Sequence, residues 1–448
     1  MNQKNTLMTE GNIQEKMIKF AVPIFLGDLF QQLYNIVDAL VVGNVLGENA
    51  LAAVSSTGSL IFLMVGFFVG MFTGVGVIIS KFYGAKDYVN TKKAVSTAVS
   101  FGLISGIVLT AVGVLFTPTI LRWMGTPENV FADSQIYLRV YFAGIIANIM
   151  YNTATGIFRA IGDSKHPLYY LIVSALTNVV LDILFVAKLG MGVEGAAYAT
   201  IIAQTLSATL AFYKLSHVNE VYRVDLRNIC IDKGILSKML KIGIPSGIQN
   251  SVIAIANVVV QASVNSFGSA AMAGNGSYSK IEGFAFIPIT SFSMSLTTFI
   301  SQNLGAKEYE RAKKGARFGV LAAVVLAEIT GILIFIFGEH LIALFANEAD
   351  VIAYGVARIK ANALFYFLLA FSHSVAGVMR GAGKSSIPMY VMLGCWCVIR
   401  VSYITMIMKF VNNITAIFFA YPLTWSLSTI LFSIFYLKSD WIHGLEKQ

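Results

Sequence analysis

The stretch SKFYGAKDYVNTKKA (80–94) recurs later in the chain as SQNLGAKEYERAKKG (301–315). Each copy places a Gly-Ala-Lys-acid turn between an apolar run and a cationic segment. A second pair, RAIGDSKHP (159–167) and RGAGKSSIP (380–388), keeps the same offset of 221 residues. A fixed offset over separate segments indicates an internal duplication, so the fold should consist of two similar halves.

The amino-acid composition indicates that both halves lie in a membrane. Of the 448 residues, 56% are hydrophobic and 12% are charged, whereas soluble domains usually have about 25% charged residues. A spanning helix needs about 20 mostly apolar residues, and twelve such runs can be identified. They lie at 17–43, 51–80, 94–117, 134–158, 167–187, 195–213, 242–267, 270–300, 317–338, 355–379, 387–408 and 414–437. The sequence therefore predicts an all-α polytopic membrane protein.

The twelve predicted spans fall into two groups of six. We predict an N-lobe over 1–213, a polar linker over 214–241 and a C-lobe over 242–448. Because each group has an even number of spans, both run in the same direction, which implies pseudo-twofold symmetry about an axis along the membrane normal. Transporters commonly have this plan. A duplicated channel or a membrane enzyme scaffold is the alternative.

The distribution of lysine and arginine predicts the orientation. With the N-terminus inside, 24 of the 32 cations fall in the inner segments, three in the outer loops and five within or at the ends of spans. Cytoplasmic loops collect such cations, so we predict a protein of the cytoplasmic membrane with both termini inside. The cations are spread over seven loops and form no single basic patch, so nucleic acid is not an expected partner.

Several motifs resemble those of the multidrug and toxic compound extrusion (MATE) exporters over nearly the whole chain. They are P-x(13)-VDALVVG in the first span, the repeated G-A-K-[DE] and R-x-x-G-x(4)-P loops, and TNVVLDILFV followed by GVEGAAYAT across the fifth and sixth spans. The resemblance implies two six-helix lobes that open alternately to either side and cation-coupled export of bulky organic molecules. Related branches of the wider superfamily flip lipid-linked saccharides.

Oxygen-bearing side chains in three spans of the N-lobe fall at a similar depth. Asp38 lies about 8 Å below the outer end of its helix at about 1.5 Å per residue. Asp182 and Thr200 each lie about 9 Å below theirs, and Asn178 is one turn deeper than Asp182. A carboxylate at bilayer depth must face water, a partner or the bundle interior. The resemblance adds that these four residues occupy the family's N-lobe cation site, with Gln31 lining the cavity beside it.

The chemistry of these four residues leaves two coupling ions open. Two carboxylates, an amide and a hydroxyl suit a hard cation such as sodium. Two crowded carboxylates could also share a proton, because both cannot easily be ionised together. The alternative is a purely structural role in which neighbouring groups hydrogen-bond both acids. No other cofactor is expected.

Further polar residues are candidates for the substrate cavity. Gln31 and Asn35 lie on the Asp38 helix, within about two turns of that acid. In the C-lobe we expect Glu282 to face the cavity and Arg400 to pair with an acid, for which Glu282 is the candidate, or with backbone carbonyls. The C-lobe residues equivalent to the two N-lobe acids are not acidic, which argues against a second cation site there. Glu328 has no evident partner in the sequence.

The function expected from these features is antiport of a proton or sodium against amphipathic, often cationic organic compounds. GAGKSS (381–386) lacks the first glycine of an ATP-binding loop, since position 378 is Val, so an ion gradient must drive transport. A flippase for a lipid-linked precursor is the alternative. A hydrolase is a third reading, but the histidine in a span, His373, has only adjacent serines beside it. We therefore expect a monomeric transporter, not an enzyme, whose partners are small molecules and membrane lipid.

Overall fold

The computed structural model describes residues 7–225, 227–411 and 413–446, and these residues form helices without a strand. The α-helices are α1 (Ile13–Leu46), α2 (Glu48–Gly84), α3 (Tyr88–Trp123), α4 (Glu128–Ala143), α5 (Ile145–Ala160), α6 (Lys165–Asp182), α7 (Gly192–His217), α8 (Lys233–Asn265), α9 (Ser269–Gly305), α10 (Tyr309–Ala343), α11 (Ala349–Asn362), α12 (Tyr366–Gly381), α13 (Ser386–Met392), α14 (Arg400–Phe410), α15 (Ile414–Phe418) and α16 (Ala420–Lys438). Two π-helical segments, Ile183–Lys188 and Leu393–Ile399, follow α6 and α13, and a 3₁₀ turn, Ala363–Phe365, precedes α12. The all-helical prediction is confirmed.

The chain forms two compact units. The first unit contains Leu26–Leu240, and the second contains Leu7–Phe25 together with the chain from Lys241 onward. The first turns of helix α1 therefore belong to the second unit, and the rest of the helix belongs to the first unit. In the second unit, the Met8 carbonyl accepts hydrogen bonds from Asn303 and Arg311, which fix the chain just before α1.

Most helices extend beyond the apolar run that predicts them. The run 317–338, for example, becomes the helix Tyr309–Ala343. Hydropathy detects only the length that suits hydrocarbon, whereas the helix continues with polar residues into the interface. Eleven helical segments of the described chain are long and apolar enough to cross a membrane. The remaining predicted span, 134–158, is built from two 16-residue helices that meet at Gly144.

The backbone repeats the duplication at its turns. Lys86 and Lys307, 221 residues apart, are the non-glycine residues with positive φ in the described chain, at 57° and 60°. The next amide in each copy, that of Asp87 or Glu308, donates to the carbonyl five residues earlier. This pattern is a Schellman motif, which satisfies the last carbonyls of a helix. The repeated sequence thus predicts a repeated way of ending α2 and α9.

Glu328 stabilises the break between α11 and α12. Its Oε2 accepts a hydrogen bond from the backbone N–H of Phe367 at 3.2 Å. The first amides of a helix have no partner within the helix, and a carboxylate placed there satisfies one of them and interacts favourably with the helix dipole. The structure therefore gives Glu328 a structural role that its sequence context alone does not reveal.

Close packing in the second unit depends on glycine at position 377. A Cβ atom there would lie 2.5 Å from the Ser293 carbonyl oxygen, whereas one at Gly276 would meet no atom within 4 Å. We expect Gly377→Ala to cost about 1–3 kcal/mol through overpacking and to lower the thermal unfolding midpoint by several degrees. Gly276→Ala is the matched control and should be neutral or stabilising, since alanine favours helix. Equal midpoints for both variants would contradict this packing.

Candidate functional site

Four predicted site residues lie in the first unit on three helices. Asp38 lies on α1, Asn178 and Asp182 on α6, and Thr200 on α7. Asp182 is 0% exposed, Asn178 2% and Thr200 7%, while Asp38 is half-buried. Because Asn178 and Asp182 are four residues apart, they share one face of α6. The sequence therefore places its candidate oxygens on buried helix faces of one unit.

The carboxyl groups of Asp38 and Asp182 lie next to each other. They are close enough to hydrogen-bond if one of them carries a proton. Oδ1 of Asp38 and both carboxyl oxygens of Asp182 are buried without another hydrogen-bond partner, as are both polar atoms of the Asn178 amide. A buried polar group without a partner costs free energy. Within the described residues no other neighbouring group hydrogen-bonds these atoms, and a proton or a bound cation would satisfy them.

A buried apolar cluster lies one helical turn from the candidate residues. Val42, Val186 and Ala196 lie one turn from Asp38, Asp182 and Thr200 respectively, and they belong to one buried apolar cluster. Charges interact more strongly where the dielectric constant is low. A cation that binds beside the two acids should therefore interact strongly with both carboxylates. The apolar cluster thus lies directly beside the candidate site.

Two tyrosines complete the surroundings of the acids. The Tyr34 and Tyr137 phenols lie within electrostatic range of both Asp38 and Asp182. Tyr137 also stacks on Tyr141, with ring centroids 6.4 Å apart. Sequence reasoning did not identify these tyrosines, although Tyr34 is four residues before Asp38 and so shares its helix face.

The backbone changes at the second acid. Helix α6 ends at Asp182, and the chain continues as the π-helical segment Ile183–Lys188. Single π turns within helices are frequent at functional sites, because they rotate the following side chains and loosen the backbone hydrogen-bond ladder. The hydropathy of this span gives no indication of the change.

Thr200 offers an oxygen ligand. Its hydroxyl donates to the Ala196 carbonyl at 3.0 Å, which leaves the oxygen lone pairs available to a cation. No group of three His, Cys, Asp or Glu side chains suited to a metal is found in the described part of the chain. The donor set of two carboxylates, one amide and one hydroxyl therefore fits a proton or a hard monovalent cation better than a transition metal.

Gln31 and Asn35 lie on the solvent-accessible side of α1. Gln31 donates from its amide nitrogen to the Asn35 side chain at 3.3 Å, and it also contacts Tyr34. Gln31 is therefore connected to the acids through the tyrosine. A role for either residue in binding substrate stays a prediction.

The expected pairing of Glu282 with Arg400 is wrong. Glu282 forms an ion pair with Arg358 instead, at 3.4 Å. Arg400 donates two hydrogen bonds to the Thr424 hydroxyl, at 3.1 and 2.8 Å, and its guanidinium lies 4.3 Å from the Tyr421 ring centroid. An expected position near the cavity suggests the pairing of Glu282 and Arg400, but Arg358 reaches the carboxylate from α11.

The second unit carries a cation in the region equivalent to the candidate cation site of the first unit. An offset of 221 relates Arg358 to Tyr137 and Tyr421 to Thr200. The guanidinium of Arg358 lies 4.3 Å from the Tyr278 ring centroid and 4.9 Å from that of Tyr421. Arg358 and these aromatic rings lie beside the Glu282 carboxylate in this region, and the expected lack of a second cation site stays a prediction. The sequence signal for Arg358 is a cation within an apolar run.

The family comparison matches the chain twice. A family model described as MatE matches residues 23–184 and 245–406, which are 222 residues apart and include Asp38 and Asp182 in the first copy. The probable multidrug resistance protein YoeA of Bacillus subtilis (strain 168) is 29% identical over 436 residues, which cover 96% of this chain and 94% of that protein. The multidrug export protein MepA of Staphylococcus aureus (strain MW2) is 23% identical over 82% of this chain and 81% of its own length.

Solved structures agree on the fold. The outward-facing conformation of a multidrug resistance MATE family transporter of the MOP superfamily aligns with a TM-score of 0.91 at 21% identity, over 99% of both chains. A MOP superfamily transporter from Pyrococcus furiosus, whose binding pocket is described as having reverse polarity, aligns with a TM-score of 0.90 over 98% of both chains. Since the family model covers more than two thirds of the sequence, the chain belongs to the MatE family, the multidrug and toxic compound extrusion transporters.

Proposed function

We propose that the chain is a monomeric, cation-coupled antiporter that exports amphipathic, often cationic organic compounds by alternating access. The observation that supports this proposal best is the adjacent pair Asp38 and Asp182, three of whose four carboxyl oxygens are buried in a membrane-spanning unit without another hydrogen-bond partner. Two such acids are costly unless a cation or proton binds them. Relatives named as multidrug resistance and multidrug export proteins support the substrate class.

The acid pair provides a physical basis for coupling. When a cation or proton is bound, the net charge of the acid pair is reduced. When the ion leaves, the uncompensated negative charge of the acids favours a different packing of the helices or the binding of a cationic substrate. A ligand shifts a conformational equilibrium only by its differential affinity for the two states. Binding of the ion and of a cationic substrate would then favour different states, which is the requirement for exchange.

Transport of matched probes tests this function against a flippase. Proteoliposomes containing the purified chain would receive a cationic fluorescent dye or a fluorescent lipid-linked saccharide, with a proton or sodium gradient imposed. We expect gradient-dependent movement of the dye and none of the saccharide lipid. Movement of the saccharide lipid without dye transport would establish the flippase reading instead.

We further propose that the protein lies in the cytoplasmic membrane with both termini inside. Single cysteines at Thr126 or Glu348 should then react with an impermeant reagent added outside intact cells, while cysteines at Lys86 or Arg311 should react only after the cells are opened. The native Cys230, Cys395 and Cys397 must first be replaced, since Cys230 is exposed. The reverse labelling pattern would refute the orientation.

A further inference from the structure

We propose that the first unit binds an anionic phospholipid, with an acyl chain in an apolar groove between α5 and α7 and the phosphate in a cationic pocket of the linker. The groove and the pocket meet at Ser216, which lines both. This site lies apart from the acid pair on α1 and α6, so the proposal does not depend on which ion or substrate is transported.

The groove has the shape and surface of an acyl-chain site. Its volume is about 700 Å³, with Gly144 and Met150 on one wall and Ile201, Ala208 and Phe212 on the other. At one end of the groove the Ile201 side chain packs against Gly144, where a Cβ atom would lie 2.4 Å from it. From Ile201 to Ser216 the groove follows α7 for about 22 Å, compared with roughly 15 Å for half of the hydrocarbon core. One lipid chain can therefore lie along it.

The polar residues of the groove do not change its apolar character. Thr205 donates its hydroxyl to the Ile201 carbonyl at 2.8 Å, and Thr209 donates to the Thr205 carbonyl at 2.7 Å. Each donor is satisfied within its own helix, and the methyl group of each threonine can face the groove. The surface presented to the membrane is therefore mostly hydrocarbon.

The pocket beyond Ser216 carries an excess of cations. Its volume is about 1050 Å³, and Lys92, Arg223 and Arg227 line it together with the acids Glu220 and Asp225. Three cations against two acids give a formal excess of one positive charge. An anionic headgroup is thus the complementary ligand at the point where α7 ends.

Arg223 and Lys92 interact electrostatically with Asp225, but the cations of the pocket keep hydrogen-bond donors for an anion. Arg223 donates from Nε to the Ser216 carbonyl at 2.9 Å, which leaves its Nη groups without a hydrogen bond to the described residues. The carboxylate of Asp225 instead accepts from the Asn228 side chain at 2.8 Å and from the backbone N–H of Arg227 at 3.1 Å. No ion pair within the described chain involves the Lys92 or Arg227 side chains. These heads can therefore form bonds to a phosphate at little cost in broken contacts.

The linker is held in place before any ligand arrives. The backbone N–H groups of Cys230 and Asp232 donate to the hydroxyls of Ser96 and Thr97 on α3, at 2.8 and 3.0 Å. The Val224 N–H donates to the Leu215 carbonyl at 3.0 Å. A preformed pocket loses less conformational entropy on binding than a flexible segment would. The linker is thus a folded part of the first unit rather than a loose tether.

Lipid titration in detergent tests the site. The purified full chain would be titrated with phosphatidylglycerol, phosphatidylcholine or soluble glycerophosphate, while thermal unfolding and native mass spectrometry report binding. We expect only phosphatidylglycerol to raise the unfolding midpoint of the wild type. The double variant Arg223→Gln/Arg227→Gln should bind it about 25-fold more weakly, at roughly fivefold per cation. Thr209→Trp should reduce binding by filling the groove.

Matched controls separate a specific site from general charge effects. Lys409→Gln/Lys438→Gln removes the same charge from exposed positions of the second unit and should bind phosphatidylglycerol as the wild type does. Equal loss in this control, equal shifts with phosphatidylcholine, or an equal shift with glycerophosphate would each overturn the proposal. Each variant is compared with its own lipid-free midpoint, so a change in folding cannot be mistaken for a loss of binding.

Discussion

The variant Asp38→Asn is expected to lose gradient-driven export by about a hundredfold, because the population shift that drives exchange needs strong differential affinity for the ion. Asparagine keeps the size of the side chain but removes the negative charge that distinguishes the ion-bound from the ion-free state. Because Asp38 Oδ1 has no hydrogen-bond partner besides the neighbouring Asp182 carboxyl, folding should be little affected. Dye efflux from energised vesicles, normalised to the amount of inserted protein, measures the loss.

Double mutants test whether the two acids form one site. If Asp38 and Asp182 bind the same ion, Asp38→Asn/Asp182→Asn should lose little more than either single variant, since neighbouring residues of one site are not additive. Asp350→Asn, an exposed acid at the start of α11, is the charge-matched control and should transport normally. Wild-type efflux by Asp38→Asn, or fully additive losses in the double variant, would remove the acid pair from the coupling mechanism.

The fold follows from the sequence because membranes impose simple constraints. Hydropathy and the duplicated loops predict the helices, and even the repeated turn at Lys86 and Lys307 follows from the repeated residues. The ends of the helices are less predictable than their apolar cores, because polar residues continue a helix beyond the hydrocarbon region of the membrane. The π-helical segment after Asp182 gives no periodic signal. Such local changes depend on packing between helices that a single sequence does not show.

The candidate site is predictable where its residues are acids or amides in apolar runs. Asp38 and Asp182 stand out because acids are rare at bilayer depth, and Asn178 and Thr200 are added because they fall at a similar depth. Partners contributed by distant segments are not predictable in this way. Neither the pairing of Glu282 with Arg358 nor the linker pocket has a signature in sequence spacing, because residues far apart in the chain create both.

The geometry of the site leads to a final prediction about the ion, in which Thr200→Val separates a proton from sodium. A proton needs only the two carboxyl groups, whereas sodium needs several oxygens held at roughly 2.4 Å. Because the Asp38 and Asp182 carboxyl groups lie adjacent, they can share a proton without help from α7. We expect Thr200→Val to keep most of the efflux driven by a pH gradient and to lower any sodium-driven efflux by about tenfold, the effect of losing one oxygen partner.

Proteoliposomes with one gradient imposed at a time make this comparison direct. Thr330→Val is the matched control, because its hydroxyl donates to the carbonyl four residues earlier, as that of Thr200 does, but lies on α10 in the second unit. The control should leave both kinds of efflux unchanged, which would attribute any loss in Thr200→Val to the site rather than to helix stability. If efflux follows sodium, ignores pH and disappears in Thr200→Val alone, the acids bind sodium together with Thr200, and the shared-proton mechanism is wrong.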